Sequence, residues 1–382
     1  MRITLVSPFD PSPRLGSDGA ERVGGVERVF GQVSRNLARR GHDVTLVCST
    51  KGAAASTSED GVNIVRSPRR ATFLEAPVAR LSRSVPNDSD VVHVAATYPF
   101  TTPWVLRRAR ELEVPSVLDF HFEPSPATLL GRMAANVYRH IGPRDYRFAS
   151  LALVRSLAYG HSAPSLSHVP VDRWRVVPNG IDPERFNPKG PARAGDYLLY
   201  VGRLVVYKGV PVLFQALALL RLGLPLYIAG EGPMGHTLRL QARTLGLDVR
   251  FLGRVPEEDL PALYRGARLT ILPSVNRQEC FGISLLESMA CGTPVVASRL
   301  PGVAEVASVG GLLAEPGDPK SLARQLRVAL QDGILPRGPK LAAAVHNDYS
   351  WAAVTDRLES AYRELVRDPT AVGGPPQAML AA

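Results

Sequence analysis

The chain has 382 residues, a formal net charge of +10 and a hydrophobic content of 45%. This length exceeds what one core usually serves, so we expect two domains of an ordinary globular protein. No apolar stretch is long enough to span a bilayer, and three cysteines without a Cys-x-x-Cys spacing predict neither a disulfide framework nor a metal site. The basic excess favours an anionic partner: nucleic acid, a phospholipid surface or a phosphorylated small molecule.

Short apolar runs alternate with helical segments along the first half of the chain. The first run lies at the N-terminus and is typical of a buried strand, not of a signal peptide, so we expect a cytoplasmic protein. The runs are Ile3–Val6, Val44–Cys48, Val62–Val65, Val91–Ala95, Val117–Asp119 and Leu151–Val154, and the clearest helices are Val26–Arg40 and Thr101–Glu113. This alternation predicts a parallel sheet covered on both faces.

The same alternation resumes after Val177–Pro183, a segment whose prolines and Asn-Gly pair predict a hinge or linker. The later apolar runs are Tyr197–Val201, Leu226–Ala229, Val249–Leu252, Leu269–Leu272 and Val295–Ala297, and the helices are Val210–Arg221, Met234–Leu245, Ile283–Cys291, Lys320–Leu330 and Trp351–Arg367. We predict two doubly wound α/β domains facing each other across a cleft, residues 1–180 and 181–350. The helix 351–367 is expected to pack back toward the first domain, and 368–382 to form a flexible tail.

Two glycine-rich segments of the second half follow strands and open helices. In Gly202–Gly209, the helix start together with Arg203 and Lys208 suits a diphosphate held without a metal, although a turn with two surface cations is the alternative. Gly230–Gly235 matches Gly-x-Gly-x-x-Gly, but a nicotinamide site is disfavoured because Pro233 lacks an N–H donor and Glu231 adds negative charge. The Gly24-Gly25 pair has two interpretations: its backbone allows an anion to bind at the start of the first helix, or it is an ordinary turn.

Three further side chains are candidates for chemistry. Glu279 lies in a loop before a helix start, and Glu287 lies within that helix among apolar residues, where a carboxylate needs a partner such as a pair of hydroxyls. His121 follows the strand at Val117–Asp119, at the end where open α/β sheets place their sites. His42 is interpreted as a loop or surface residue and His93 as a strand residue near the cleft.

Together these segments resemble the GT4 family of retaining glycosyltransferases. Glu279 and Glu287 match the E-x7-E signature of that family, and the resemblance covers roughly residues 1–367. Further blocks agree in order: Gly24–Glu27, Arg40–Val44, Val177–Asp182, Gly202–Leu204 with Lys208-Gly209, Gly230–Pro233, Met289–Ala297 and Tyr349–Trp351. The stretches Gly52–Asp90 and Arg132–Arg155 match no motif of the family, so acceptor specificity is expected there.

The resemblance implies a GT-B fold, that is, two facing Rossmann-like domains of which the second binds a nucleotide sugar and the first binds the acceptor. Arg203 and Lys208 would stabilise the departing diphosphate, Glu287 would hold the ribose hydroxyls, and Glu279 and His121 would contact the donor sugar. The other implied donor contacts are made by Gly24, Gly25, Gly202, Gly230, Gly232, Arg254, Phe281, Gly282 and Ile283.

The implied activity is retaining transfer of a mannose- or glucose-type hexose from a GDP- or UDP-sugar to a glycan or lipid-linked hydroxyl, without cofactor or metal. The net charge is +7 over residues 1–180 and +3 over the rest, so the first domain is expected at an anionic membrane surface on the cytoplasmic side. A phosphorylase or epimerase of the same architecture is the alternative. A non-catalytic nucleotide- or nucleic-acid-binding protein is disfavoured, because no basic strand carries interleaved aromatic residues.

Overall fold

The computed structural model describes residues 1–11, 14–15, 21–22, 25–73, 76–123, 133, 142–331 and 333–367. Gly24 and the predicted tail at 368–382 lie outside these ranges. The chain divides into two compact units: residues 1–178 with the chain from Val354 onward form the first, and Asn179–Ala353 form the second. The division after Pro178 falls within the proline- and glycine-rich segment Val177–Pro183.

The first unit is built on an eight-stranded sheet in the order β12-β11-β10-β9-β1-β4-β6-β5, with two small hairpins, β2–β3 and β7–β8, beside it. The strands are β1 (Arg2–Val6), β2 (Arg14–Leu15), β3 (Glu21–Arg22), β4 (Asp43–Thr50), β5 (Ala55–Glu59), β6 (Val62–Pro68), β7 (Ala71–Phe73), β8 (Ala76–Val78), β9 (Val91–Ala95), β10 (Ser116–Phe120), β11 (Leu151–Val154) and β12 (Trp174–Val176). All six predicted apolar runs are confirmed as strands.

One edge of this sheet differs from the prediction of a wholly parallel sheet. Strand β5 pairs antiparallel with β6, and all of its residues are exposed. The connection is a two-residue turn, Asp60-Gly61, in which both residues have positive φ angles of 51° and 76°. Asp-Gly is the preferred sequence of such hairpin turns, since both central residues adopt φ > 0. The apolar pattern missed β5 because the strand, reading Ala-Ser-Thr-Ser-Glu, covers no core.

The second unit contains a six-stranded, fully parallel sheet in the order β15-β14-β13-β16-β17-β18. Its strands are β13 (Tyr197–Val201), β14 (Leu226–Ala229), β15 (Val249–Gly253), β16 (Ala267–Leu272), β17 (Val295–Ser298) and β18 (Gly311–Ala314). The five predicted runs are confirmed, and β18 was not predicted. Buried side chains form one cluster on each face of this sheet, as a doubly wound arrangement requires.

Helices cover both sheets. They are α1 (Gly25–Arg39), α2 (Thr102–Glu111), α3 (Leu157–His161), α4 (Val210–Leu220), α5 (Gly235–Thr244), α6 (Leu260–Gly266), α7 (Ile283–Ala290), α8 (Val303–Ala307), α9 (Pro319–Ala329), α10 (Gly338–Tyr349) and α11 (Trp351–Arg367). Helix α1 buries Val26, Val29, Phe30, Val33 and Leu37, a spacing that gives one apolar face. No helix within the described ranges is long and apolar enough to cross a lipid bilayer.

The part of α11 that belongs to the first unit is held there by polar contacts as well as by its apolar face. Glu359 accepts a hydrogen bond from Arg40 at 3.1 Å and lies 2.7 Å from Nε2 of His42. His42 lies in the loop before β4, which agrees with its interpretation as a loop or surface residue, and its side chain is only 10% exposed. These contacts explain why α11, from Val354 onward, belongs with β4 and α1 although it lies more than 300 residues away in sequence.

Candidate active site

Three loops of the second unit, which follow β13, β14 and β15, are joined by backbone hydrogen bonds. Gly202 donates to Ala229 at 3.0 Å, and Gly230 donates to Gly253 at 2.7 Å. A Cβ atom on Gly230 would lie 2.0 Å from the carbonyl oxygen of Gly202, and one on Gly232 would lie 2.3 Å from that of Leu204. The packing of one loop against the next therefore requires glycine here, whether or not a ligand also approaches the backbone.

The side chains of Lys208 and Glu279 meet at the end of β13. Nζ of Lys208 donates a hydrogen bond of 2.5 Å to Oε2 of Glu279, and the hydroxyl of Ser274 donates to the same oxygen at 3.0 Å. The two side chains are 14% and 9% exposed. Burial lowers the pKa of Lys208, but the Glu279 carboxylate outweighs it and the pKa is raised. The stability that the raised pKa of Lys208 contributes is present at neutral pH and is lost as the pH rises through that raised pKa.

Backbone contacts hold the two segments of this pair together. Gly209 follows Lys208 with a φ of +69°, and its missing Cβ would lie 1.9 Å from the carbonyl oxygen of Pro273. Val275 donates to the carbonyl of Tyr207 at 2.8 Å, which fixes the start of the loop that carries Glu279. Only glycine permits both the left-handed conformation and this close approach.

The loop that carries Glu279 ends at helix α7. Gly282 precedes the helix with a φ of +84°, and Phe281 is buried, whereas Ile283 is 37% exposed. The backbone of this segment follows β16, so it lies at the carboxyl end of the parallel sheet. The sequence therefore predicted correctly that Glu279 lies just before a helix. The tertiary structure shows that Lys208 is the cation beside it.

Glu287 has a hydroxyl partner within the protein. The buried Tyr264 of α6 donates a hydrogen bond of 2.6 Å to Oε2 of Glu287. Burial and the neighbouring carboxylate raise the pKa of Tyr264, so the phenol keeps its proton and remains a donor. The sequence predicted correctly that Glu287 needs a hydroxyl partner. The hydroxyl of Tyr264 supplies one such partner from within the protein.

The two other predicted cations of this unit, Arg203 and Arg254, have exposed side chains in the loops after β13 and β15. The carbonyl of Arg203 accepts a 3.1 Å hydrogen bond from the hydroxyl of buried Tyr200. Burial and the charge of Glu279 raise the pKa of Tyr200. Nζ of Lys208 lies 5.6 Å from the centre of the Tyr207 ring, and the positive charges of Lys208 and Arg203 both act against the burial that raises the pKa of Tyr207.

In the first unit, His121 belongs to a buried polar cluster formed by residues of β9, of the ends of β10 and β11, and of α11. Nη2 of Arg155 donates to Oδ1 of Asp119 at 2.5 Å and lies 3.0 Å from Nε2 of His121. Oδ2 of Asp119 lies 3.1 Å from Nε2 of both His121 and His93. The hydroxyl of Tyr362, from α11, is 2.5 Å from Nδ1 of His93. We name this group of five side chains the histidine cluster.

Electrostatics within the histidine cluster favour a charged Asp119 and a neutral His121. Burial opposes ionisation of Asp119, but the charge of Arg155 outweighs it, aided by the hydrogen-bonding contact with His121, so the pKa of Asp119 lies well below the ordinary value. Burial lowers the pKa of His121, and Arg155 lowers it further, against the opposing effect of Asp119. Asp119 therefore contributes stability at neutral pH that is lost in strong acid, as the pH falls through its lowered pKa.

Two family profiles match successive parts of the chain. Residues 23–185 match Glycosyltransferase Family 4, and residues 182–346 match Glycosyl transferases group 1. Together they span most of both units. The chain belongs to glycosyltransferase family 4. This confirms the family predicted from the sequence, and the protein is a transferase.

Named relatives and a solved structure agree with this assignment. D-rhamnosyltransferase WbpZ of Pseudomonas aeruginosa is 27% identical over 325 residues, which cover 81% of this chain and 83% of that protein. D-inositol 3-phosphate glycosyltransferase of Corynebacterium jeikeium is 36% identical over 219 residues, only about half of either chain (50% and 52%). The Anabaena protein HepE, solved with UDP-glucose, has 19% identity and a TM-score of 0.67, with 96% of this chain and 100% of that chain covered. The structural likeness confirms the GT-B fold with two Rossmann-like domains.

The structure of this family 4 glycosyltransferase also shows polar residues that the sequence did not single out. Arg155, Tyr362 and His93 join His121, and Ser274 and Tyr264 join the two glutamates. A signal was present at Arg155, which directly follows the apolar run of β11, and at Asp119, the one charged residue within β10. Within the described ranges, no group of three or more His, Cys, Asp or Glu side chains could hold a metal ion.

Proposed function

We propose that this family 4 glycosyltransferase transfers a mannose- or glucose-type hexose, with retention, from a UDP- or GDP-sugar to a hydroxyl group of a glycan or lipid-linked acceptor. The observation that carries the proposal is the Lys208–Glu279 pair, a largely buried cation and carboxylate at the carboxyl end of a parallel sheet. Rhamnosyl- and mannosyltransferases among the relatives, and a structural neighbour solved in complex with UDP-glucose, support a nucleotide sugar.

The proposed chemistry begins with cleavage of the anomeric C–O bond, whose electron pair goes to the β-phosphate oxygen. Lys208 and the exposed Arg203 would stabilise that developing negative charge in place of a divalent metal ion. The pKa of Lys208 is raised, so the ammonium needs no proton uptake before it acts. The acceptor hydroxyl would attack from the same face, and its proton would pass to the departing phosphate.

The two glutamates would have different tasks in this scheme. Glu279 lies between Lys208 and Ser274, so its carboxylate is oriented before any sugar binds and would accept hydrogen bonds from donor-sugar hydroxyls. Glu287 would accept hydrogen bonds from the ribose hydroxyls, and the Tyr264 hydroxyl would keep its carboxylate in position. The backbone atoms of Gly202, Gly230 and Gly232 would lie beside the phosphates of the bound nucleotide sugar.

Nucleotide sugars should stabilise the folded protein and release a nucleoside diphosphate on addition of acceptor. We expect one UDP- or GDP-hexose to raise the melting temperature at millimolar concentration, because ligand that binds only the native state stabilises it. The measurement is thermal unfolding with a panel of UDP- and GDP-hexoses, followed by assay of UDP or GDP release with candidate acceptors. Absence of both effects with every donor, in a folded sample, would contradict the proposal.

We also propose that the first unit binds an anionic membrane surface that presents the acceptor. Helix α2 carries the exposed Trp104 (56%), with Arg107 over its ring at 5.2 Å and exposed Arg110 one turn later. An aromatic side chain beside cations is typical of membrane-surface helices. This position agrees with the +7 charge of residues 1–180.

Vesicle binding tests this surface. We expect the protein to sediment with phosphatidylglycerol-containing vesicles and not with phosphatidylcholine vesicles, and expect Trp104→Ser with Arg107→Glu to reduce that binding about tenfold or more, since each basic residue contributes about 1 kcal/mol. Arg243→Glu, a charge reversal at the end of α5 in the other unit, is the matched control. Equal binding to both vesicle types, or equal effects of both variants, would exclude α2 as the contact.

A further inference from the structure

The contacts of His121 within the histidine cluster fit a neutral ring. Nε2 of His121 lies 3.1 Å from Oδ2 of Asp119, Nε2 of His93 lies equally far from that oxygen, and the Tyr362 hydroxyl is 2.5 Å from Nδ1 of His93. Arg155 donates to Oδ1 of Asp119, to the carbonyl of Val177 at 2.6 Å and toward Nδ1 of His121 at 3.2 Å. Each nitrogen of His121 then has a polar neighbour, whereas Nε2 of His93 and Nε of Arg155 have no hydrogen-bond partner among the described residues.

Charge balance leads to the same protonation state. Asp119, His121, Arg155, His93 and Tyr362 are all less than 7% exposed. One carboxylate and one guanidinium make a neutral buried group, so a second ring proton on His121 would leave an uncompensated charge inside the protein. A protonated His121 would also place its positive ring 3.0 Å from the guanidinium nitrogen of Arg155.

We propose that Arg155 is a positioning residue for the transfer reaction, which together with Asp119 holds the His121 imidazole neutral and in one orientation at the end of β10. The proposal rests on the proposed function, because His121 has a role near the donor sugar only there. The groups that face His121 are Asp119 on β10, His93 on β9, Arg155 after β11 and the ring of Phe30 on α1, with ring centroids 5.9 Å apart. The Tyr362 hydroxyl contacts His93, so an effect of Tyr362 on His121 passes through the His93 ring.

The first test follows His121 by NMR pH titration of the full-length protein labelled with ¹³C-histidine, and it needs no substrate. In the wild type, we expect His121 to titrate below its ordinary pKa. Arg155→Met removes the neighbouring cation and leaves the carboxylate, so His121 should titrate about one pH unit or more higher. Arg173→Met is the matched control, because Arg173 also contacts backbone carbonyls near β11 but does not touch His121.

A second variant covers the case in which Arg155→Met fails to fold. Asp119→Asn keeps the shape of the side chain and removes the negative charge, so the titration of His121 should move in the opposite direction, to lower pH. Opposite shifts in the two variants, or the downward shift alone where only Asp119→Asn folds, support the proposal. An unchanged titration of His121 in a folded variant of either residue would overturn it.

The second test links the cluster to the reaction. For Arg155→Met, we expect kcat for nucleotide release to fall about tenfold at pH 6.5 and less at pH 8.5, with a smaller change in KM, since only the neutral imidazole is competent. A merely structural role would lower thermal stability and leave the pH profile unchanged, which would overturn the positioning role. Wild-type protein that releases no nucleotide with any donor would contradict the proposed function instead, and the titration would still report on the cluster.

Discussion

Lys208→Ala should lower the rate of nucleoside diphosphate release by about 100- to 1,000-fold, the range found when one preorganised donor to a developing charge is removed. The residue is the only largely buried cation that the described part of the second unit places at the carboxyl end of β13, and its ammonium is held 2.5 Å from Glu279. Steady-state assay of UDP or GDP release gives kcat and KM for the variant. Lys189→Ala, which removes an exposed lysine of the same unit, should leave both unchanged.

Lys208→Ala should also lower the free energy of unfolding. The sequence places Lys208 and Glu279 outside the apolar runs, which predicts that replacement of either lowers transfer without unfolding the chain. Because the two form a largely buried pair, loss of Lys208 leaves Glu279 with the Ser274 hydroxyl, and we expect a loss of about 1 to 3 kcal/mol in the free energy of unfolding.

Urea denaturation of Lys208→Ala, Glu279→Gln and the double variant separates these effects. The double variant should lose less stability than the sum of the single ones, because no unpaired charge remains. Retention of more than a tenth of the wild-type rate by Lys208→Ala would contradict the assigned role of the ammonium. Equal stability of all variants and the wild type would contradict the energetic importance of the buried pair.

Gly209→Ala should destabilise the second unit by about 3 kcal/mol, through strain in the left-handed region and a collision with backbone. Its φ is +69°, and the new Cβ would lie 1.9 Å from the carbonyl oxygen of Pro273. Since Pro273 begins the loop that carries Glu279, relief of the collision would also displace that carboxylate from Lys208. We therefore expect reduced stability in urea denaturation together with reduced nucleotide release.

Gly223→Ala is the matched control for this prediction. Gly223 has nearly the same φ, +66°, and a Cβ atom added there would have nothing within 4 Å. The free energy of unfolding of Gly223→Ala should fall by only about 1 kcal/mol, which is the cost of the left-handed conformation alone. The difference between the two variants measures the contact between Gly209 and Pro273, and equal losses would show that this contact is relieved without cost.

The sequence by itself determined the fold class and most of the elements. Buried strands of parallel sheets are continuous apolar runs, so all eleven predicted strands are present, and the boundaries of Val91–Ala95 and Tyr197–Val201 agree to the residue. Seven strands of the described ranges were missed, since none shows an extended apolar run: β2, β3, β5, β7, β8, β12 and β18. The motifs indicated the family because they occur in the same order as in that family, and the ordered set is more specific than any single motif.

Only the tertiary structure decided which polar groups meet. Lys208 and Glu279 are 71 residues apart, and His93 and Tyr362 are 269 residues apart, so no local pattern couples them. In the sequence, Arg155 and Asp119 are charged residues at strand ends. Such side chains are usually exposed to solvent. Because parallel strands bring their carboxyl ends to one edge of the sheet, these charges become buried neighbours, and their mutual compensation sets the protonation of His121.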